Sequence, residues 1–415
     1  MKRVLNSALI VVISFCLVAV FSLGGCSKKA EETKVEVKEE TKVEVKEEVK
    51  VEVKEVAKED IKVGAILAVT GPASFLGGPE ARTLEMMVEE INANGGINGS
   101  KIDLIIKDSG ANPEKAISFT KQLIEEDKVF AILGPSTSGE TMKIKNIVEE
   151  AEMLLVSCAA AEVIVNPVAK YVFKTPQKDS HAVQKIYSTM NDLGITKIAV
   201  LTGNTGFGNA GKGQLEKAAP EFGIEILESE VYDKKSTDLS AVVAKLMANK
   251  DIQAVVNWSI VPAQGILAKN MRQAGWDVPL FQSHGFGNVK YVEVGGAAAE
   301  GIIFPAGRLL VAEDLPDSNP QKALLIKYKN DYESKYDDKV STFGGHAYDA
   351  LTILVAALEI AGTDKAKVRD AIENMQGVAG TAGVFNFSAE DHNGLGLDAF
   401  EMLTVKDGKF AIYTK

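Results

Sequence analysis

The chain has 415 residues, of which 46 are Lys or Arg and 57 are Asp or Glu, so its formal net charge is −11. A chain with this negative balance repels phosphate backbones, which argues against a nucleic acid as partner. The segment 60–415 is longer than a single hydrophobic core usually supports, and its length therefore predicts two lobes.

The N-terminus has the order of a secretory signal peptide. Lys2 and Arg3 are positive, residues 8–21 are apolar apart from Ser14, and the letters LGGC end at Cys26. This order predicts export of the protein and cleavage of a leader just before Cys26, so that residues 1–26 lie outside the fold. The LGGC segment resembles the bacterial lipobox, which implies that Cys26 is acylated and anchors the protein to a membrane outside the cytoplasm. The alternative is an uncleaved signal anchor with an incidental cysteine.

Residues 31–55 repeat an eight-residue pattern of the type EETKVEVK. A period of eight residues does not keep one face of a helix, and the apolar content is too low for a packed core. We therefore interpret residues 27–59 as a charged, solvated tether that holds the following domain away from the membrane. A weak strand or a helical stalk is the alternative.

From residue 60 onward, short apolar strands alternate with amphipathic helices. The predicted elements are strand 61–67, helix 80–92, strand 101–107, helix 114–126, strand 129–133, helix 142–151 and strand 154–157. The alternation resumes after Pro176 with helix 180–192, strand 197–202, helix 209–219, strand 224–230, helix 237–249, strand 252–258, helix 262–274 and strand 279–282. This order is typical of parallel sheets covered by helices. Two such series predict two doubly wound lobes, with a ligand site at the carboxyl ends of the strands.

Several short segments at matching spacings carry a family resemblance. They are TGPA at 70–73 with Gly77, NANGGI at 92–97 with Gly99, LGP at 133–135 with Ser138, TGFG at 205–208, AGW at 274–276 and YDA at 348–350. With these segments, residues 60–415 resemble the type I periplasmic binding proteins, specifically the branched-chain amino-acid (Leu/Ile/Val-binding) group. The resemblance implies an α/β fold of two doubly wound parallel-sheet lobes joined by three crossings.

The resemblance also implies a division of the chain and a way of working. Crossings near 174–178, 301–306 and 398–403 give lobe I as residues 60–176 plus 304–400 and lobe II as residues 177–303 plus 401–415. A small carboxylate-bearing molecule binds between the lobes, the lobes close over it, and an ABC permease in the membrane receives it. We expect a monomer. A sensor subunit that uses the same closure is a rival interpretation, because fold alone does not separate the two roles.

The loop with Ser136, Thr137 and Ser138 follows a predicted strand and begins a helix. A helix N-terminus favours anions, so hydroxyl and backbone N–H groups there suit a carboxylate. The resemblance implies that the ligand's carboxylate binds at this loop. The alternative is an ordinary helix cap that serves only the helix itself.

The next strand end carries Ala159 and Ala161. The resemblance implies that this segment offers backbone groups and a hydroxyl to the ligand. Ala161 occupies the hydroxyl position, so backbone contacts from Ala159 and Ala161 are expected and the side-chain hydrogen bond is not.

Three further residues are expected at the cleft from lobe II. Phe207 stands where the family commonly has a tyrosine that covers the ligand, and Trp258 ends a strand at the same cleft or packs beneath the loop. His284 stands near the place where related amino-acid binders have an acid that pairs with the ligand's ammonium. An imidazole does not supply that negative charge. Either the ligand is an acid without an α-ammonium, such as a branched-chain or aromatic oxo acid, or His284 is an ordinary loop residue.

Catalysis has little support in the sequence. Residues 206–211 match the pattern G-x-G-x-x-G of dinucleotide-binding loops. In those loops the first glycine forms a tight turn directly after the strand, whereas here three residues separate the strand from the first glycine. The His residues His181, His284, His346 and His392 are scattered and lack the spacing of metal ligands. We therefore predict a binding protein without a cofactor or metal ion, and an NAD-dependent enzyme is the weaker alternative.

Overall fold

The computed structural model of the protein describes residues 58–414. The predicted signal peptide, the acylated Cys26 and nearly all of the predicted tether lie outside the described residues. The α/β body predicted from residue 60 onward is described except for Lys415.

The first sheet has five parallel strands in the order β2-β1-β3-β4-β5. Its elements are β1 (Ile61–Leu67), α1 (Ser74–Ala93), β2 (Ile102–Asp108), α2 (Pro113–Glu125), β3 (Ala131–Leu133), α3 (Ser138–Glu150), β4 (Leu154–Ser157) and β5 (Val172–Lys174). Every residue of β3, β4 and β5 is buried. Parallel strands covered by helices on both faces have this burial, which explains why they are continuous apolar runs in the sequence.

The second sheet begins with five more strands and their helices. These elements are α4 (Asp179–Asp192), β6 (Lys197–Gly203), α5 (Gly206–Ala218), β7 (Glu225–Tyr232), α6 (Ser240–Ala248), β8 (Ala254–Trp258), α7 (Ala263–Gln273), β9 (Leu280–Gln282), α8 (Val289–Gly295) and β10 (Ile303–Ala306). Strands β6 to β10 pair in parallel. One hydrophobic core, built mainly from these elements, packs against the sheet.

The chain then returns to the first sheet before it ends in the second. The remaining elements are α9 (Lys322–Tyr336), α10 (Thr342–Ala361), α11 (Lys365–Glu373), the two-stranded sheet of β11 (Val378–Ala379) and β12 (Val384–Phe385), and the hairpin of β13 (Glu401–Lys406) and β14 (Lys409–Ile412). The second sheet has the order β14-β13-β10-β9-β8-β6-β7, and its last two strands are antiparallel. The predicted α/β fold with parallel sheets is confirmed, and the antiparallel hairpin at the edge adds to it.

Helix α10 is the long apolar helix of the first lobe. Among the described residues it has the length and hydropathy of a membrane span, with a mean hydropathy of 1.2, but 67% of that window is buried within the protein. Its residues Ala347, Leu351 and Leu354 lie in the same core as Leu84 of α1. These contacts are those of a core helix in a globular lobe.

Three short segments carry the chain between the two sheets. The first lies between β5 and α4, the second follows β10, and the third precedes β13. The predicted lobe boundary at residue 304 falls inside β10, which pairs with both β9 and β13. Residues 303–306 therefore belong to the second sheet, and the chain leaves that sheet after Ala306.

Candidate functional site

The site lies where the carboxyl ends of the strands in the two sheets face each other. Two helices begin at this edge behind capping side chains. Thr137 caps α3 by accepting a hydrogen bond from the Glu140 N–H, and Thr205 caps α5 by accepting one from the Gly208 N–H. Because the cap residues have extended backbone, they turn the strand ends directly into helices and leave the first N–H groups facing the cleft.

The two lobes touch each other across this cleft. Asn288 of lobe II donates a hydrogen bond to the Phe75 carbonyl of lobe I at 2.9 Å. A β-carbon built on Gly206 would lie 2.6 Å from the Gly139 Cα, so the N-termini of α3 and α5 approach as closely as two glycines allow. The structure is therefore the closed arrangement of the lobes.

Closure leaves two cavities, which share Phe207 and Ile260 in their walls. We call them the inner cavity and the outer cavity and distinguish them by their lining residues. The inner cavity is lined by Leu76, Ser136, Ser138, Cys158, Ala160, Pro176, Phe207, Ile260, His284, Gly285, Phe343 and His346. The outer cavity is lined by Pro72, Ala73, Ala111, Pro113, Thr137, Gly139, Glu140, Asn204, Thr205, Gly206, Phe207, Lys234, Ile260 and Val261.

The hydroxyls of the predicted carboxylate loop have different partners. Ser136 donates to Glu80 and accepts from the Ala68 N–H, and the Thr137 hydroxyl donates to the Glu140 carboxylate at 2.6 Å. Ser138 accepts from the Ala161 N–H at 3.1 Å, which leaves the Ser138 proton available to another acceptor. Of the three hydroxyls, Ser138 is the one that is free to donate into the inner cavity.

Glu80 lies directly behind this loop. Its side chain belongs to α1, is fully buried and contacts the Ser136 hydroxyl. Burial raises the pKa of the Glu80 carboxyl to about 8, with the hydrogen bond from Ser136 opposing the shift. At neutral pH this carboxyl is therefore largely protonated, and it brings little negative charge to the carboxylate loop.

The segment with Ala159 and Ala161 differs from its prediction. The Ala159 N–H donates to the Ser157 hydroxyl and the Ala161 N–H donates to Ser138, so both N–H groups serve the lobe itself. The residues next to these two alanines that line the inner cavity are Cys158 and Ala160. Ala159 and Ala161 are not among the residues that line this cavity.

Phe207 and Trp258 take different positions at the cleft. Phe207 lines both cavities, whereas Trp258 is fully buried and lies behind it, with ring centroids 5.6 Å apart. A β-carbon on Gly211 would lie 2.1 Å from Trp258 Nε1. Trp258 thus occupies the packing position beneath the loop, where it supports Phe207.

Each glycine of the G-x-G-x-x-G pattern is required by a close contact within the protein. Gly206 meets Gly139 of the other lobe, Gly208 lies against the Gly203 carbonyl, and Gly211 makes room for Trp258. All three are required by close backbone or ring contacts. The pattern is accounted for here without a bound nucleotide.

His284 projects into the inner cavity from an aromatic surround. Its ring centroid lies 5.2 Å from that of Phe207 and 5.6 Å from that of Phe400. Neither ring nitrogen has a hydrogen-bond partner among the described residues, and Nε2 lies 3.6 Å from an Asp179 carboxylate oxygen. Burial, reinforced by the positive charge of Lys174, lowers the pKa of His284 well below its usual value, so the imidazole is neutral.

His346 is a second imidazole at the same cavity, and it was not among the predicted site residues. It lies in α10, is nearly fully buried, and its Nδ1 has no hydrogen-bond partner among the described residues. Burial lowers its pKa to about 3. The signal that was present in the sequence is its position two residues before the YDA segment at 348–350.

Two buried ionisable residues, Lys174 and Asp179, lie behind His284, and they too were not predicted. The Lys174 ammonium donates to the carbonyls of Ala160, Pro176 and Gln177 at 3.0, 2.6 and 3.0 Å. Three carbonyl acceptors match the three donors of an ammonium. Burial lowers the pKa of Lys174 and raises that of Asp179, and each charge opposes the shift of the other.

Unlike the inner cavity, the outer cavity has acidic and basic side chains in its lining. Glu140 and Lys234 line it from opposite lobes, and burial raises the pKa of Glu140 while Thr137 and Lys234 oppose that shift. Within residues 58–414, no group of three His, Cys, Asp or Glu side chains is arranged to hold a metal ion.

Comparisons with known proteins agree with this architecture. A family model described as Periplasmic binding protein matches residues 60–409. The Leucine-, isoleucine-, valine-, threonine-, and alanine-binding protein of Pseudomonas aeruginosa is 26% identical over 73% of this chain and 79% of that protein. The isoleucine complex of LivJ, a branched-chain amino acid transporter substrate binding protein from Streptococcus pneumoniae, superposes with a TM-score of 0.75 at 26% identity, covering 85% of this chain and 97% of LivJ. An extracellular ligand-binding receptor from Rhodopseudomonas palustris HaA2 superposes with a TM-score of 0.80 at 26% identity, and the match covers 85% of this chain and 99% of that receptor.

Proposed function

Because the chain belongs to the periplasmic binding protein family, as its motifs predicted, we propose that it is the extracytoplasmic solute-binding component of an ABC transporter. Its ligand is a small carboxylate-bearing molecule, and the names of its relatives point to branched-chain or other amino acids. The observation that carries this proposal is the inner cavity, which both lobes line and which contains a free hydroxyl at a helix N-terminus.

The ligand's carboxylate is held at Ser138. The hydroxyl of Ser138 has a proton to donate, and the first N–H groups of α3 at residues 138 and 139 have no partner within the helix. The partial positive charge of the helix N-terminus adds to this attraction. Leu76, Phe207 and Phe343 supply apolar surface for the rest of the molecule.

Ligand capture and closure are one event in this proposal. The ligand enters while the lobes are apart, the three connecting segments bend, and the N-termini of α3 and α5 meet at Gly139 and Gly206. The closed protein then buries the ligand between the lobes and presents a changed surface to the permease. The protein works as a monomer and carries out no catalysis, so it uses neither cofactor nor metal ion.

The N-terminal segment keeps the protein at a membrane. Cys26 carries the lipid, and residues 27–59 form the tether. Replacement of this residue, Cys26→Ala, should move the protein from the membrane fraction to the soluble extracytoplasmic fraction. Retention of the variant in the membrane fraction would contradict the lipid anchor.

Ligand-dependent thermal stabilisation tests the carboxylate proposal. We expect the melting temperature of the whole protein to rise with at least one small acid from a panel of aliphatic amino acids, their oxo acids and benzoate-like acids. Phe207→Ala should weaken that effect, whereas Phe222→Ala, a half-buried phenylalanine outside both cavities, should retain it. An equal effect in both variants would mean that the ligand binds elsewhere.

A further inference from the structure

The inner cavity contains buried polar atoms that the protein itself does not satisfy. Both nitrogens of His284 and the Nδ1 of His346 have no hydrogen-bond partner within the described residues, and each residue is only 6% exposed. Buried polar atoms without partners are rare in folded proteins, because an unpaired group costs about 1–3 kcal/mol. Two such imidazoles in one cavity wall indicate that the bound molecule supplies their partners.

The same cavity has no group that compensates an ammonium. Its lining residues include no Asp or Glu. The carbonyl oxygen of Ala160 at this wall already accepts from the Lys174 ammonium at 3.0 Å. Asp179, the acid behind His284, is fully buried and does not line the cavity, and its charge opposes the lowering of the Lys174 pKa. A second cation placed here would meet neutral imidazoles and a like charge, and burial of an unpaired cation is costly.

We propose that the natural ligand is a small organic acid without an amino group, most simply a 2-oxo acid with a branched or aromatic body. This inference rests on the proposed capture of a carboxylate at Ser138 and deepens it. The neutral imidazoles of His284 and His346 donate N–H hydrogen bonds to the oxygen atoms of the acid. Lys174 is an internal ammonium that fills the place from which a ligand's amine would otherwise draw its acceptors.

The acids elsewhere near the cleft do not reverse this conclusion. The Glu80 carboxyl lies behind Ser136 and outside the cavity lining. Glu140 lines only the outer cavity, where it accepts from Thr137 at 2.6 Å and faces Lys234. An amine would reach Glu140 only if the ligand extended into the outer cavity, and this arrangement is one arm of the test.

A matched pair of ligands tests the inference directly. 4-Methyl-2-oxopentanoate and leucine have the same carbon skeleton and differ in oxo versus ammonium at the α-carbon. We expect calorimetric titration of the whole protein, freed of co-purifying small molecules, to give an affinity for the oxo acid at least about 100-fold higher. Benzoate, titrated in parallel, tests whether an aromatic body without the oxo group suffices.

Variants of the imidazoles test their assigned role. His284→Leu and His346→Leu should each lower the affinity for the oxo acid by about tenfold and leave the weak leucine affinity unchanged, since they remove one hydrogen bond. His284→Gln, which restores a donor, should recover part of the loss. His181→Leu is the control because His181 lines neither cavity. A merely structural role would lower both affinities together, and the use of two positions protects the test if one variant does not fold.

Each remaining outcome has a definite meaning. Tighter binding of leucine than of the oxo acid overturns the inference and leaves the proposed capture of a carboxylate intact. If Glu140→Gln abolishes that leucine binding, the amine lies in the outer cavity. An unchanged ratio of the two affinities in the imidazole variants overturns the role of the histidines. If no acid of the panel binds, the inference and the proposed function fail together.

Discussion

Closure of the lobes can be tested at the point where two glycines meet. Gly206 is the first residue of α5, and a β-carbon there would lie 2.6 Å from the Gly139 Cα and 2.7 Å from its nitrogen. The substitution Gly206→Ala therefore places a methyl group against the backbone of the other lobe. The overlap exists only when the lobes are closed, so the variant should fold normally and bind ligand poorly.

The size of the effect follows from the overlap. Ordinary contacts of a β-carbon begin near 3.4 Å, so the closed lobes would have to move apart by about 0.8 Å. Overpacking of this kind costs about 1–3 kcal/mol. Because closure contributes to ligand binding, the affinity should fall by about 5- to 150-fold.

Calorimetric titration with the best acid of the panel measures this change. The control is Gly213→Ala in the same helix, where an added β-carbon meets no atom within 4 Å. Without ligand, the melting temperature of Gly206→Ala should equal or slightly exceed that of the unchanged protein. In small-angle scattering, ligand addition should compact the variant less than it compacts the unchanged protein. Full ligand affinity in Gly206→Ala would refute the view that these glycines must touch for the site to form.

Three other changes have expected outcomes. Ser138→Ala should lower affinity for a carboxylate by about tenfold, because it removes the one free hydroxyl of the loop, and it should also lower the melting temperature, because the buried Ala161 N–H loses its acceptor; an unchanged affinity in calorimetry would place the carboxylate elsewhere. Burial raises the pKa of Glu80 from 4.5 to about 8, so the unchanged protein loses stability as the pH rises through that window. The free energy of unfolding of Glu80→Gln should therefore rise, relative to that of the unchanged protein, by up to ~1.4 kcal/mol for each pH unit. If denaturant unfolding gives the same difference between the two proteins at pH 5 and at pH 8, Glu80 is charged throughout that range. Lys174→Met should lower the free energy of unfolding by about 1–3 kcal/mol for each buried carbonyl left without a donor. It also removes the positive charge that lowers the pKa of Asp179, so the double variant with Asp179→Asn should be at least as stable as Lys174→Met in denaturant unfolding; a further loss of stability in the double variant would argue against coupling of the two groups.

Helix starts show where sequence patterns lose accuracy. The helices predicted from residues 80, 142 and 209 begin instead at Ser74, Ser138 and Gly206. Each early turn contains glycine or small polar residues that favour turns in isolation. Thr137 and Thr205 cap two of these helices, so local hydrogen bonds override the propensity. The missing turns are those that face the cleft.

The candidate site was predicted in part for the same reason. The loop after a predicted strand pointed to Ser136 and Ser138, and the family resemblance pointed to Phe207 and His284. All four residues line the inner cavity. His346 comes from a helix more than sixty residues further along the chain, after the chain has crossed between the sheets. No local pattern links it to the strand ends. Nothing in the sequence around Lys174 distinguishes it from a surface lysine. Its three carbonyl partners in the folded protein show that it is a buried ammonium.

The sequence by itself determined the order of the strands and helices, because periodicity and helix-breaking residues are local properties of the chain. It also determined the family, because short motifs keep their spacing. Tertiary structure decided which hydroxyl is free, which charges compensate one another and which imidazoles remain unpaired. These properties depend on the distances between residues from both lobes, and such distances exist only after the two sheets have packed and closed.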